Sequence, residues 1–161
     1  MKLAQQLGLL LARQQWMATT AESCTGGGIS TAITDIAGSS AWFDRAFVTY
    51  TNAAKQQMLG VKDSTLAEYG AVSDAVVTEM AAGALTRSLA SISIAVSGIA
   101  GPGGGSPEKP VGTVWFAWAD KTGWSEAKVY YLEGDRQAVR QQAVEVALRG
   151  LIRRLESLGD Q

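Results

Sequence analysis

Residues 91–106, SISIAVSGIAGPGGGS, join a short apolar segment to a loop that is rich in glycine. The apolar residues 91–97 predict a central strand of a sheet. Five glycines fall within residues 97–106. Ordering them on folding loses more conformational entropy than ordering other residues, which destabilises the folded state, so a benefit such as ligand binding is expected to offset it. Because open α/β sheets bind ligands beyond the carboxyl ends of their strands, we expect this second glycine loop, residues 97–106, to bind a ligand. A flexible surface loop is the alternative.

Helices and strands alternate on both sides of this segment. Apolar periodicity and capping residues predict helices over residues 2–14, 27–36, 52–59, 63–69 and 73–89 and a last helix that Asp135 caps. Predicted strands cover residues 16–21, 46–51, 91–97, 112–120 and 125–132, and a turn at residues 121–123 joins the last two into an antiparallel hairpin. The alternation predicts an α/β fold, a sandwich with a mixed sheet, in one domain over residues 1–161.

The composition indicates an ordinary globular protein. The chain has 161 residues, of which 47% are hydrophobic and 18% charged, and its formal net charge is −1. We expect no nucleic-acid partner, because no basic stripe is present, and no membrane partner, because the apolar runs are too short to cross a bilayer. The lone cysteine excludes an intrachain disulfide and suits a reducing cytosol. Together with the lack of a signal-peptide pattern, this predicts a cytoplasmic protein.

The chain contains no histidine. This excludes catalytic triads and dyads that use histidine, and every histidine-ligated metal site. If the protein is an enzyme, its proton transfers run through lysine, carboxylates, tyrosine or water.

A first glycine loop, residues 21–28 (AESCTGGG), lies between a predicted strand and a predicted helix. Such a turn places free backbone N–H groups and the positive end of the helix at one point, which favours an anion. Ser23 and Thr25 add hydroxyl donors, and Gly26 and Gly27 let the backbone approach a ligand closely. The alternative is a tight turn with a Ser/Thr cap. Neither glycine loop matches the dinucleotide fingerprint or the P-loop.

A serine hydrolase without histidine needs another base. Ser40 in a predicted loop, Tyr50 at the end of a predicted strand and Lys55 on the next helix form a chemically complete set if burial lowers the lysine pKa. A solvated surface lysine is the alternative for Lys55. Cys24 is a rival nucleophile because its thiol lies near a predicted helix N-terminus, or else it is a small buried residue.

Arg136 and Arg140 lie in the last predicted helix. Guanidinium groups bind phosphate and carboxylate well, so either residue is a candidate to hold an anionic part of a ligand. Surface ion pairing is the alternative.

Several motifs follow one another over essentially the whole chain. They are AESCTGG at residues 21–27, DIAGSS at 35–40 with WF at 42–43, VTYTNAAK at 48–55, GAVS at 70–73, SGIAGPGG at 97–104, KPVGTV at 109–114 and GDR at 134–136. In their order and spacing the chain resembles the CinA C-terminal domain family, and within it the standalone nicotinamide-nucleotide amidases.

The resemblance implies hydrolysis of the carboxamide of nicotinamide mononucleotide (NMN), giving nicotinic acid mononucleotide and ammonia for pyridine-nucleotide recycling. It also implies a three-layer α/β/α fold, no metal or cofactor, and a homodimer. Carried over residue by residue, Ser40 is the nucleophile, Lys55 the base and Tyr50 its assistant. The implied nucleotide pocket is lined by Ser23, Thr25, Gly26, Gly27, Ser97, Gly98, Gly101, Gly103 and Arg136.

The chain departs from the family pattern at one position, where Ala53 replaces a glutamate that usually stands two residues before the lysine. This departure leaves a second hypothesis open, a catalytically silent nucleotide-binding paralogue of the same fold. A third, a protein-interaction domain linked to competence or DNA damage, follows only from the family's name.

Overall fold

The computed structural model describes residues 2–159. Their strands form one five-stranded sheet with the order β2-β1-β3-β4-β5. The strands are β1 (Ala18–Glu22), β2 (Phe43–Val48), β3 (Ile92–Gly98), β4 (Thr113–Asp120) and β5 (Ser125–Tyr131). The helices are α1 (Leu3–Gln14), α2 (Gly28–Thr34), α3 (Asn52–Leu59), α4 (Asp63–Tyr69), α5 (Asp74–Thr86) and α6 (Arg136–Leu158), with a 3₁₀ helix at Ser39–Ala41.

The sheet is mixed, as the sequence predicts. Strands β1, β2 and β3 are parallel, whereas β4 runs antiparallel to β3 and forms a hairpin with β5. In the parallel part Glu22 pairs with both Val48 and Val96. The chain segments that follow these three residues therefore leave the sheet side by side at one carboxyl edge.

Two hydrophobic clusters cover the two faces of the sheet, so the predicted three-layer α/β/α architecture is confirmed. On one face Ile94, Phe116 and Trp118 pack with α1, α2 and α6, and on the other Ala95 and Ala117 pack with α5. The side chains of β3 alternate between the faces, as the period of a strand requires. None of the helices within residues 2–159 is both long and apolar enough to cross a bilayer.

Caps place the helices that carry the candidate site residues. The side chain of Thr51 accepts a hydrogen bond from the backbone N–H of Ala54 at the start of α3, and Gly60 ends this helix with φ of 71°. Asp135 caps α6 by accepting from the N–H of Ala138, as predicted. Both caps satisfy N–H groups that a helix end otherwise leaves free.

The prediction of β2 over residues 46–51 is wrong by three residues at each end. The strand is Phe43–Val48 and lies at the edge of the sheet, so only one of its sides pairs and polar residues such as Asp44 and Arg45 are tolerated there. Thr49 and Tyr50, which have high β propensity, lie beyond the strand and lead the chain into α3. This shift moves residues 39–41 to the amino end of β2.

Candidate active site

Lys55 is a lysine buried inside the protein, with 1% of its surface exposed. It lies on α3, and its Nζ donates hydrogen bonds to Ser23 Oγ at 3.0 Å and to the carbonyl oxygen of Thr49 at 3.1 Å. Burial lowers the pKa of Lys55 below the ordinary value of a lysine, because the charged form loses its hydration. No carboxylate lies within 4.0 Å of this amine in the described residues. The neutral amine, which can accept a proton, is therefore more accessible here than in a solvated lysine.

Ser23 is held beside this amine by the edge of the sheet. It is the first residue after β1, and its backbone N–H donates to the carbonyl of Val96 at the end of β3. On the other side, the N–H of Thr49 donates to the carbonyl of Glu22. Three parallel strand ends thus fix a hydroxyl and a buried amine at hydrogen-bonding distance, an arrangement that suits a nucleophile and its base.

A cavity of about 270 Å³, here called the lysine cavity, opens at this point. Ser97 and Gly98 from the end of β3 line it, together with Tyr50 and Arg136. The presence of Ser23 and Lys55 in the same lining means that a bound molecule meets both groups. Six of the residues predicted for the site therefore line one cavity: Ser23, Tyr50, Lys55, Ser97, Gly98 and Arg136.

Tyr50 lies at the mouth of the lysine cavity, with 58% of its surface exposed. Its hydroxyl accepts a hydrogen bond of 3.0 Å from Arg136 Nη2, and Arg136 Nη1 donates to the carbonyl of Gly101 at 2.9 Å. Within residues 2–159 no hydrogen bond joins Tyr50 to Lys55 or Ser23. In this arrangement the tyrosine contacts the arginine and does not bridge the serine and the lysine.

The structure does not bring Ser40 to Lys55. Ser40 is exposed in the 3₁₀ helix before β2, at the end where Phe43 pairs with Ala18. The length of β2 separates the two ends by about 17 Å at about 3.3 Å per residue. Ser40 and Lys55 therefore lie at opposite ends of β2, with Ser40 before its amino end and Lys55 beyond its carboxyl end. The serine beside the lysine is Ser23.

Sequence reasoning missed the contact between Ser23 and Lys55 because it took the nucleophile from the stretch of chain just before the lysine and carried the family's nucleophile over to Ser40 as well. The two residues are 32 positions apart. A usable signal was present nonetheless, since each follows a strand of the parallel part of the sheet and parallel strands end at one edge.

Cys24 is buried in the wall of the lysine cavity. Burial raises the pKa of its thiol to about 11. The thiol is therefore neutral near pH 7, and since the thiolate is the nucleophilic form, the alternative of Cys24 as a nucleophile receives no support from the geometry.

A buried carboxylate occupies the first glycine loop. Glu22 is fully buried and accepts hydrogen bonds from the N–H groups of Ile29 and Ser30, which begin α2, and from the hydroxyls of Thr20 and Thr25. The N-terminus of α2 and the Thr25 hydroxyl already bind an anion within the protein. Sequence analysis did not identify this role of Glu22, because nothing in its spacing differs from an ordinary polar residue at a strand end.

Four glycines that were predicted to line the pocket, Gly26, Gly27, Gly101 and Gly103, do not line the lysine cavity. Gly26 and Gly27 form the turn before α2 with φ of 57° and 100°. Gly101 lies in a second cavity that adjoins the first. Gly103 is exposed and does not line the lysine cavity.

Nowhere in the described chain do three or more cysteine, aspartate or glutamate side chains form a group that could hold a metal ion.

Known proteins share both the sequence and this architecture. A profile of the CinA C-terminal domain matches residues 1–155. The nicotinamide-nucleotide amidohydrolase PncC of Enterobacter agglomerans is 57% identical over 152 residues, or 94% of this chain and 93% of that protein. PncC of Pseudomonas putida is 54% identical over 151 residues, or 93% of each chain.

A solved structure agrees with these sequence matches. The competence/damage inducible protein CihA from Agrobacterium tumefaciens has a TM-score of 0.92 to this chain at 49% identity, covering 96% of this chain and 93% of its own. The similarity therefore extends over the sheet and the helices on both of its faces. The chain belongs to the CinA C-terminal domain family.

Proposed function

We propose that this protein hydrolyses the carboxamide of NMN to nicotinic acid mononucleotide and ammonia, with Ser23 as nucleophile and Lys55 as general base. The observation that carries the proposal is the hydrogen bond of 3.0 Å between Lys55 Nζ and Ser23 Oγ in a cavity. The names of the PncC relatives, nicotinamide-nucleotide amidohydrolase, supply the substrate class.

The first half of the reaction forms an ester. The proton of Ser23 Oγ passes to the neutral Lys55 Nζ as the oxygen bonds to the carboxamide carbon. Lys55 then gives this proton to the amide nitrogen, the C–N bond breaks and ammonia leaves. The positive pyridinium ring of the substrate withdraws electrons from the carbonyl and so favours the attack.

The second half of the reaction consumes the ester. Lys55 accepts a proton from a water molecule whose oxygen attacks the ester carbon. The proton then returns to Ser23 Oγ as the product leaves as a carboxylic acid, which gives its remaining proton to solvent and becomes the carboxylate. Lysine thus serves as base and then as acid in both halves, the role that histidine has in other serine hydrolases.

The oxyanion of each tetrahedral intermediate requires N–H donors. The backbone N–H of Ala100, in the wall of the lysine cavity, donates to no acceptor within residues 2–159. We propose this group as one donor. Tyr50 acts indirectly, by holding Arg136 at the mouth of the cavity, where the arginine meets the charged end of the nucleotide.

Ala53 gives no reason to expect a silent paralogue. It is exposed on α3, whereas Lys55 faces inward. Because residues i and i+2 of a helix do not face each other, a glutamate at position 53 would not reach the Lys55 amine. The base keeps its environment without that glutamate.

The experiment is ammonia release from NMN by the purified protein, by Ser23→Ala and by the matched control Ser40→Ala. We expect Ser23→Ala to lower kcat on the order of 10⁴-fold or more, as loss of a hydrolase nucleophile does, and Ser40→Ala to stay near the wild-type rate. Inactive Ser40→Ala with active Ser23→Ala would overturn the assignment of the nucleophile. No turnover by the wild type would overturn the proposed function.

We also propose that the protein is a cytoplasmic homodimer. Light scattering coupled to size-exclusion chromatography measures the mass in solution, and a mass near 16.9 kDa, that of one chain, would contradict the dimer.

A further inference from the structure

Among the buried side chains of residues 2–159, one polar atom has no hydrogen-bond partner. It is Oγ1 of Thr49, in a residue that is fully buried. An unpartnered hydroxyl of this kind destabilises a folded protein, because it has lost its hydrogen bonds to water without replacement. Valine has the same shape and no hydroxyl, and would avoid this loss. A threonine here is therefore expected to do something that valine cannot.

Thr49 lies beside Ser23 at the carboxyl edge of the sheet. The N–H of Thr49 donates to the carbonyl of Glu22 at 2.8 Å, which continues the parallel ladder in which Glu22 pairs with Val48. Thr49 is therefore the partner of Ser23 across the two strands. Because neighbouring strands lie about 4.8 Å apart, a single side chain placed over this edge can contact both residues.

The alternation of side chains along β1 and β2 places the two hydroxyls on the same face of the sheet. Ala21 and Phe47, which stand two residues earlier in each strand, pack in the hydrophobic cluster of α5. Since residues two apart in a strand point to the same face, Ser23 and Thr49 also face this side. Helix α3 lies there too, because its Leu59 belongs to the same cluster.

Lys55 stands one turn before Leu59 on the buried side of α3, and its amine reaches both strand ends. Nζ donates to Ser23 Oγ at 3.0 Å and to the Thr49 carbonyl at 3.1 Å. An ammonium has three N–H donors, and within residues 2–159 these two bonds account for two of them. A change of the Thr49 side chain to another staggered rotamer, or a small movement of the lysine side chain, joins the third donor to the unpartnered hydroxyl.

From this arrangement we infer that Thr49 is a positioning residue whose hydroxyl accepts a hydrogen bond from the protonated amine of Lys55. The inference rests on the proposed function for the reaction in which this amine acts. There Lys55 becomes charged when it takes the Ser23 proton, although only 1% of its surface is exposed. The hydroxyl supplies an acceptor that a buried ammonium requires and keeps the amine beside Ser23.

No acid among residues 2–159 binds the Lys55 amine. Glu22, at the end of β1, is held by the start of α2. On α5, which packs against α3, Asp74 and Glu79 accept hydrogen bonds from threonine hydroxyls elsewhere. The ammonium is therefore stabilised by uncharged oxygens, among which a hydroxyl matters more than it would beside a carboxylate.

The remaining ionisable groups line the lysine cavity or contact its wall. Cys24 is neutral near pH 7, because burial raises the pKa of its thiol to about 11. From α6, Arg136 donates to the hydroxyl of Tyr50, and Arg140 donates from Nε to the carbonyl of Cys24 at 3.0 Å. These groups stay the same when the hydroxyl is removed, so a shift in the pKa of the lysine reports on the hydroxyl.

The first test is the pKa of Lys55 itself, followed through the NMR signal of its Cε in lysine-labelled protein. The signal that is missing from Lys55→Arg assigns the resonance. A hydrogen bond to the charged form favours that form, so loss of the hydroxyl in Thr49→Val should lower the pKa of Lys55 by about 1–2 pH units. Thr49→Ser keeps the hydroxyl and should titrate like the wild type.

A matched control separates this role from a structural one. Thr19→Val removes a buried hydroxyl on β1 that donates to the Arg45 carbonyl at 2.6 Å. It should lower the melting temperature and leave the pKa of Lys55 unchanged, whereas Thr49→Val should melt at or above the wild-type temperature. Thr49→Ala is a second variant without the hydroxyl and should show the same pKa shift.

Two results of the titration would overturn the inference. One is a Lys55 pKa that is the same in Thr49→Val as in the wild type. The other is an equal shift in Thr49→Ser, because that variant keeps the hydroxyl and changes only the packing.

Kinetics test the consequence for the proposed reaction. In Thr49→Val the midpoint of the rise of kcat/KM with pH should move down together with the pKa of Lys55. Above that midpoint kcat should fall about 10-fold or more, because the ammonium formed during the reaction loses an acceptor. Thr49→Ser should keep both wild-type values, and a Thr49→Val enzyme that keeps them would overturn the inference. If the wild type does not hydrolyse NMN, the proposed function fails, while the titration still decides the hydrogen bond.

Discussion

At the scale of single residues, the proposed reaction uses a buried lysine in the role that histidine has in other serine hydrolases. Burial lowers the pKa of Lys55, and only the neutral amine accepts the Ser23 proton. We therefore expect kcat/KM to rise with pH as Lys55 loses its proton, with the midpoint below about 10.4, the ordinary lysine value. The measurement is ammonia release from NMN across the pH range in which the protein stays folded.

The same residue gives a sharper comparison. Lys55→Arg keeps a positive charge but cannot lose its proton in proteins, so we expect kcat to fall about 10²–10⁴-fold at every pH tested. Lys62→Arg, at an exposed lysine just beyond α3, is the control and should keep the wild-type profile. A Lys55→Arg enzyme with the wild-type rate and profile would exclude Lys55 as the base.

At the scale of elements, Glu22 ties β1 to α2. Its carboxylate accepts from two hydroxyls and two backbone N–H groups, and the amide of Glu22→Gln would turn an NH₂ group towards some of these donors. We expect the free energy of unfolding to fall by about 2–4 kcal/mol, since hydrogen bonds to a charged group contribute about 1.5–3 kcal/mol each. Chemical denaturation measures this, and equal stability of Glu22→Gln and the exposed-site control Glu133→Gln would contradict it.

Elements also show what the sequence can predict. Apolar periodicity, caps and the turn at residues 121–123 suffice for the helices and the hairpin, because these depend on neighbouring residues. The alternation of helices and strands, followed by a hairpin, then predicts a mixed sheet. The bounds of β2 do not follow from propensity, since an edge strand accepts Asp44 and Arg45. This shift matters for the site, because it places Ser40 at the amino end of β2. Lys55 and Arg136, both predicted for the site, line the lysine cavity, but the Glu22 network depends on folded contacts that no spacing reveals.

At the scale of the whole molecule, the proposed site depends on the docking of one helix against the sheet. The sheet edge holds Ser23, whereas α6 supplies Arg136. Along the same helix Gly150 packs against Trp118, whose Nε1 donates to the carbonyl of Ala147 on α6 at 3.1 Å. The contact that holds α6 on the sheet thus lies on the same helix that carries Arg136 to the lysine cavity.

Gly150→Ala tests this docking. An added Cβ at Gly150 would overlap the Trp118 ring, and this indole is fully buried. Overpacking of this kind costs about 1–3 kcal/mol, so we expect the melting temperature to fall by roughly 2–12 °C. Gly103→Ala, where an added Cβ meets nothing within 4 Å, should leave it unchanged. If both variants have the melting temperature of the wild type, α6 tolerates displacement. Its close packing on Trp118 would then not set the geometry of the site.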